Sequence, residues 1–366
     1  KTAKKTEDAV TRVVLLTLKS PRFLYLGLDG SKPDDFEIAA RRHLPSPIFA
    51  YISGGCETNR SLRGNVDAFA DYEWVTRVFV NTSARSLDTP LFGHTWAAPI
   101  GIAPMGISAL SAYRGDLIQT QAAAQANIPA IMSGSSLIRL EDVAKANPHA
   151  WFQAYVPGDS AKIAALLDRV AAAGFGTLVV TADVPTSGNR ENNVRAGFST
   201  PLRPDLRLAW EGLTHPRWLL GTALRTLLSH GMPHFENSQA QRGAPILARH
   251  VMREFGARDH LHWGHVDQIR QQWRGRLVLK GILSPEDAVL AREHGADGII
   301  ISNHGGRQLD GAIAPLRALP AIVKAMGPDY PVMIDGGFRR GSDVLMAMAL
   351  GANAVLVGRP AVHGLA

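Results

Sequence analysis

The residues most able to do chemistry lie in one stretch, Ser302-Asn303-His304-Gly305-Gly306-Arg307-Gln308-Leu309-Asp310-Gly311. His304 and Arg307 stand three residues apart on a glycine-rich turn, directly after the apolar run Gly298–Ile301, which reads as a buried strand. An arginine holds a carboxylate through two parallel hydrogen bonds, and a histidine takes up a proton near neutral pH. Set on one turn, the two can face one small anion. The spacing therefore predicts a base working on a carboxylate-bearing substrate.

Such residues need a frame, and the chain supplies a regular one. Eight short apolar runs recur, Pro99–Ala103, Ala130–Met132, Trp151–Val156, Thr177–Thr181, Leu277–Leu279, Gly298–Ile301, Pro331–Ile334 and Ala354–Val357. Glycine, proline or polar residues bound most of them, as expected for buried parallel strands. Helical patterns lie between, among them Ser160–Ala173, Pro285–His294, Pro315–Met326 and Gly341–Leu350. Ser284-Pro285-Glu286-Asp287 has the signals of a helix start. Eight such units predict an α/β fold, a (β/α)8 TIM barrel, with an open doubly wound sheet as the alternative. No Gly-x-Gly-x-x-Gly follows the first run, which favours the barrel.

Two segments fall outside this rhythm. Residues 1–95 read as an N-terminal extension packing on a barrel of residues 96–366. The extension carries one clear helix pattern, Pro33–His43, followed by turn-rich sequence. Residues 183–276 form a long loop between the fourth and fifth strands, of a length that is usually functional.

In a barrel the active site forms at the carboxyl ends of the strands. Those ends read Pro104-Met105-Gly106, Ser133, Gln153-Ala154-Tyr155, Thr181-Ala182-Asp183, Lys280, then Ser302, His304 and Arg307. The last two read Asp335-Gly336-Gly337 with Arg339, and Gly358-Arg359. Their glycines let backbone N–H groups approach an anion and their arginines supply charge, which predicts a phosphate site. Ser133, Gln153, Thr181 and Lys280 can hydrogen-bond a flat heterocycle.

Composition bounds the alternatives. The 366 residues are 46% hydrophobic and 19% charged, ordinary for a globular chain with a large core. The net charge of +7 comes from scattered arginines without a dense basic run, which argues against nucleic acid. The one cysteine, Cys56, can form neither an intramolecular disulfide nor a cysteine-rich metal site, and no metal is expected. It fits a reducing compartment and reads as a small filler. No apolar run is long enough to span a bilayer. Val10–Leu18 is apolar but short, lacks a small-residue cleavage site, and is not read as a signal peptide. The sequence opens on Lys1 rather than Met, which leaves room for an earlier natural start.

With these motifs in order, the chain resembles the FMN-dependent 2-hydroxy acid oxidases and dehydrogenases, a family that includes glycolate oxidase, L-lactate dehydrogenase and mandelate dehydrogenase. SNHGGRQLDG carries the resemblance. YISGG at Tyr51–Gly55, PIGIAP at Pro99–Pro104, FQAYV at Phe152–Val156, IDGGFRRGSDV at Ile334–Val344 and VGRP at Val357–Pro360 support it. The likeness runs from about Asp35 to the end. It implies oxidation of an L-2-hydroxy acid to the 2-oxo acid with FMN as cofactor. His304 would be the base, oriented by Asp183, and Arg190 and Arg307 would hold the substrate carboxylate. Tyr51 and Tyr155 would hydrogen-bond the substrate. Lys280 would stabilise the reduced ring, a catalytic and cofactor-binding role. Pro104, Met105, Gly106, Ser133, Gln153, Thr181 and Ser302 would contact the flavin, with Asp335, Gly336, Gly337, Arg339, Gly358 and Arg359 on its ribityl and phosphate groups. A carboxylate beside His304 is expected to raise its pKa.

Departures refine this. Gly106 stands where several family oxidases carry alanine, which tilts the expected electron acceptor toward a quinone, with O2 and hydrogen peroxide production as the alternative. A different FMN barrel enzyme, such as an isomerase, is the more distant alternative. Ser135 replaces a family tryptophan and predicts a roomier substrate pocket. Residues 206–232 mix Trp, Leu and Arg in a connection that docks on the membrane in mandelate dehydrogenase, with a lid or an oligomer contact as alternatives. The resemblance also implies a homotetramer, a cytoplasmic location with possible peripheral membrane contact, and further helices beyond Ala366.

Overall fold

The computed structural model describes residues 33–203, 205–247 and 258–366. The apolar stretch Val10–Leu18 and the rest of residues 1–32 lie outside the described residues.

The chain enters through α1 (Pro33–His43), α2 (Ser46–Ser53) and α3 (Arg60–Asp67). A hairpin follows, β1 (Thr89–Leu91) and β2 (His94–Trp96), paired antiparallel. Sequence reading saw only turns here. Phe92 and Gly93 join the two strands with positive φ at both positions, 53° and 81°, the backbone a tight two-residue hairpin turn requires.

Eight parallel strands then alternate with helices: β3 (Ile100–Ile102), β4 (Ile131–Ser133), β5 (Trp151–Ala154), β6 (Thr177–Thr181), β7 (Arg276–Ile282), β8 (Gly298–Ile301), β9 (Val332–Asp335) and β10 (Ala354–Val357). Their order is β3-β10-β9-β8-β7-β6-β5-β4, and every pair is parallel. A parallel bridge between Ile102 and Ala130 brings the outer edges together and closes the sheet into a TIM barrel. The open-sheet alternative fails on that contact.

Each strand matches one of the eight apolar runs because both of its faces are covered. One face packs inside the barrel, where Ile131, Trp151, Val179, Val278, Ile300, Met333 and Leu356 meet. Leu91 and Trp96 of the hairpin join this inner cluster. The other face packs on the surrounding helices through residues such as Phe152, Leu178, Leu277, Ile299 and Ile334. Up to β7 these are α4 (Gly115–Ala126), α5 (Leu140–Ala146), α6 (Ser160–Ala172) and α11 (Trp263–Gln272), while the long connection carries its own short helices, the first of them α7 (Glu191–Ala196). Within that connection α8 spans Leu206–Thr214, α9 Pro216–Trp218 and α10 Arg225–His230, with a π turn over Leu219–Leu224. The segment expected as a long loop is thus helical over much of its described length. After β7 come α12 (Pro285–Glu293), α13 (Pro315–Met326), α14 (Gly341–Ala349) and α15 (Arg359–Leu365). The Ser284 hydroxyl caps α12 by accepting from the Asp287 N–H at 3.1 Å, as its sequence predicts.

The described part of the extension packs on the barrel. Ala40, Leu44, Ile48 and Ile52 form one buried cluster with Trp218 and Val362. This sets the carboxyl end of α2 against the carboxyl ends of β8 and β10.

Candidate active site

The turn after β8 is wound tightly. His304, Gly305 and Gly306 all have positive φ, 58°, 65° and 72°. Two glycines accept this readily, whereas His304 bears a cost that neighbouring contacts must offset. Its N–H donates to Ser302 Oγ at 3.0 Å. Asn303 fixes the turn from below through a reciprocal amide pair with the buried Asn65 of α3, at 2.6 and 2.8 Å.

His304 Nδ1 pairs with Asp183 Oδ1 at 2.9 Å, and Tyr155 Oη lies 3.4 Å from its Nε2. Burial, the largest effect, lowers the His304 pKa, and Asp183 recovers only part of that. The expected rise is therefore reversed: desolvation outweighs the carboxylate, and the ring is neutral at pH 7, as a base must be. Burial raises the Asp183 carboxyl, but His304 and Lys280 outweigh it and hold the group below its ordinary value. Asp183 fits here because β7 carries a glycine, Gly281, after Lys280. The register shifts there, and a Cβ on Gly281 would lie 2.6 Å from Asp183 Cβ.

Lys280 is buried and held at both sides. Its Nζ donates to Ser302 Oγ at 2.6 Å and pairs with Asp335 Oδ2 at 2.8 Å. Arg307 Nη1 donates to the carbonyls of Tyr51, Gly54 and Ile52 at 2.5, 2.9 and 3.3 Å, and its guanidinium lies 4.8 Å from the Tyr51 ring centre. Burial first, then Arg190, lowers its pKa to about 10, so it stays a cation at neutral pH. Arg190 donates to the Arg307 carbonyl at 3.2 Å and to Gln308 Oε1 at 2.9 Å.

At the far end, Gly336 and Gly337 have φ of 100° and 86°, and a Cβ on Gly337 would stand 2.1 Å from the Asn65 carbonyl oxygen. Arg359 Nε donates to the Ile52 carbonyl, and its Nη2 to those of Gly54 and Gly305. Burial, then Arg307 and Arg339, pushes its pKa down to about 9. Crowded buried guanidiniums of this kind gain by accepting an anion.

These groups share one cavity of about 550 Å3. Of the residues expected from sequence, Tyr51, Pro104, Met105, Gly106, Tyr155, Thr181, Arg190, Lys280, His304, Arg307, Asp335, Gly336, Gly337, Arg339, Gly358 and Arg359 line it. Asp183, Ser133, Gln153 and Ser302 stand just behind this lining, where Ser133 Oγ donates to Gln153 Oε1 at 3.1 Å and Ser302 meets Lys280. Sequence reading missed Phe198, stacked 4.5 Å from Tyr51, and Arg258, 5.2 Å from the Tyr155 ring centre. It also missed Asn65. All three belong to segments without a chemical motif, and only the fold brings them here.

The cavity fits a flavin nucleotide. Gln153 Nε2, Thr181 Oγ1 and Asp335 Oδ1 are buried without a hydrogen-bond partner among the described residues, and such atoms call for a polar ligand. The glycine turn and arginines suit a phosphate at one end.

The same residues carry a family match. The description of the FMN-dependent dehydrogenases fits residues 40–366. The chain belongs to this family. L-lactate dehydrogenase of Xanthomonas euvesicatoria pv. vesicatoria (strain 85-10) is 42% identical over 92% of this chain and 86% of its own length. The enzyme of Xanthomonas campestris pv. campestris (strain 8004) is 41% identical over the same shares. Among solved structures, the monotopic membrane protein (S)-mandelate dehydrogenase superposes with a TM-score of 0.80 at 33% identity, covering 91% of this chain and 88% of that one. Mandelate oxidase with benzoyl-formic acid gives 0.72 at 33% identity, covering 91% and 85%. As a member of this family, the chain is an FMN-dependent 2-hydroxy acid oxidoreductase.

Proposed function

We propose that the chain oxidises an L-2-hydroxy acid to the 2-oxo acid with His304 as base, and that a quinone takes the electrons away. The His304–Asp183 pair, opening on the cavity that Arg190 and Arg307 also line, carries this reading.

Arg307 and Arg190 bind the substrate carboxylate and so orient the α-carbon. Tyr51 and Tyr155 hydrogen-bond the substrate oxygens beside it. The neutral ring of His304 takes a proton from the substrate at Nε2, while Asp183 holds the opposite nitrogen and stabilises the imidazolium that forms. Thr181 and Lys280 would hold the polar edge of the FMN ring, with the open Nε2 of Gln153 just behind them, and Arg339, Arg359 and the Gly336-Gly337 turn its phosphate. FMN, when bound, accepts the two electrons that leave the α-carbon. The Lys280 ammonium opposes the negative charge that this brings. Gly106 and Ser135 keep the wall beside Tyr51 thin, which leaves room for side chains larger than methyl.

The test is anaerobic bleaching of the yellow protein by L-lactate, glycolate, L-mandelate and longer 2-hydroxy acids. Loss of flavin absorbance with at least one is expected. Protein that retains no FMN, or is bleached by none, sinks the reading.

The quinone is favoured by Gly106 and by an apolar face in the long connection. Leu206, Trp210, Leu213, Leu220 and Leu228 are 90%, 67%, 66%, 64% and 87% exposed. Such a patch marks a membrane or partner surface. Trp218 anchors it from beneath, donating to the Leu110 carbonyl at 2.6 Å. No described helix is long and apolar enough to cross a membrane. We place this face on the cytoplasmic surface of a membrane and the chain in a homo-oligomer, the latter testable by light scattering. Faster turnover with O2 than with a quinone analogue would point to an oxidase instead.

A further inference from the structure

We propose that the last turn of α2 is a shared seat for the two cavity arginines, and that Ser53 and His363 are the positioning residues that pin it. The inference rests on the reading of Arg359 at the phosphate and Arg307 at the carboxylate.

Arg307 and Arg359 come from different strand ends, yet they lean on the same two acceptors. The Ile52 carbonyl accepts from Arg307 Nη1 at 3.3 Å and Arg359 Nε at 3.1 Å. The Gly54 carbonyl accepts from Arg307 Nη1 at 2.9 Å and Arg359 Nη2 at 3.1 Å. Carbonyls at a helix end have no partner within the helix and carry the negative end of its dipole, so they suit cations.

Between these two carbonyls stands Ser53. Its Oγ lies 3.1 Å from His363 Nε2. His363 follows Arg359 by four residues on α15, so the two side chains share one face of that helix. α15 thus grips the last turn of α2 twice, by Arg359 on the backbone and by His363 on the side chain. The His363 ring also stacks on Phe49 of α2, with centres 6.0 Å apart and planes at 18°. Glu37 faces the other ring nitrogen at 4.0 Å. Burial, then the charges of Arg339 and Arg359, pushes the His363 pKa down to about 3, so the ring is neutral and adds no charge to an already cationic corner.

A seat that shifts carries both arginines with it. Cofactor and substrate affinity then fall together, while the His304–Asp183 pair, just past the ends of β8 and β6 and held by its own hydrogen bond, stays in place. The same bond is removed by Ser53→Ala or His363→Phe, and Ser53→Thr keeps the hydroxyl.

The experiment measures the FMN dissociation constant of the holoenzyme, from recovery of flavin fluorescence on dilution, together with KM and kcat for the 2-hydroxy acid that bleaches it fastest. Ser53→Ala and His363→Phe should each raise both the dissociation constant and KM by about three- to tenfold, the scale of one lost hydrogen bond. The double variant should be no worse than either single one, kcat at saturation should hold within about twofold, and Ser53→Thr should resemble wild type. Folded Ser53→Ala with both constants unchanged, or with only one changed, overturns the shared seat, as does a loss of thermal stability that leaves both alone. If His363→Phe does not fold, Ser53→Ala and Ser53→Thr decide. Wild-type protein that holds no FMN overturns the site reading and the seat together; wild-type binding with unchanged variants overturns the seat alone.

Discussion

At His304 two opposing effects meet, and their balance sets the pH behaviour. Burial lowers its pKa below 6.5 and Asp183 raises it, with burial prevailing. The base must be neutral to act, so kcat/KM should rise with pH through a value below 6.5 and be level above it. Asp183→Asn removes the raising effect. The acid limb should then move to lower pH, while the plateau falls about a hundredfold or more because the imidazolium loses its partner. A limb that moves upward would contradict the assigned balance. His304→Gln should stay yellow but lose about two to four orders of magnitude in the rate of flavin reduction, measured by anaerobic stopped flow. His304 and Arg307 were legible as chemistry because their neighbours in sequence form a motif, and Lys280 because it ends an apolar strand run. The direction of the His304 shift was not, since desolvation depends on how much of the chain folds over it.

At the scale of elements, the site depends on places where the backbone departs from regular structure. Gly281, at the register shift of β7, leaves room for Asp183 beside His304, and the Gly336-Gly337 turn opens the phosphate end against Asn65. Gly337→Ala combines positive φ with a Cβ 2.1 Å from the Asn65 carbonyl oxygen. It should cost about 1–3 kcal/mol and release FMN. Gly174→Ala is the control, because its φ is 93° but no atom lies within 4 Å of the added Cβ. Flavin content per protein, read from absorbance, should fall in the first and hold in the second. Equal loss in both would show that φ alone decides. The strand runs and the cap of α12 could be read locally. The hairpin β1–β2 could not, because its strands are three residues each and their apolar side chains find partners only inside the barrel.

For the whole molecule, the question is which surfaces remain for other partners. The exposed Trp210, Leu213, Leu220 and Leu228 do not line the cavity. Replacing Trp210 and Leu213 with serine should therefore abolish co-sedimentation with anionic lipid vesicles and leave dye-linked turnover of the soluble protein within about twofold. Retained vesicle binding would remove this face as the docking surface. A second exposed apolar strip, Trp74, Val75, Val78 and Phe79, lies before the hairpin and adds to the expectation of an oligomer.

By itself the sequence determined the fold class, the eight strands and the residues at their ends, because apolar period, turn residues and motif spacing are local properties of a chain. Only the tertiary structure decided what those residues meet. It put Asp183 on His304 across a gap of 121 positions, sat Arg307 and Arg359 on the end of α2, and placed Ser133 and Gln153 behind the cavity wall. Distances between groups far apart in sequence, and the burial that shifts their protonation, exist only once the barrel has closed.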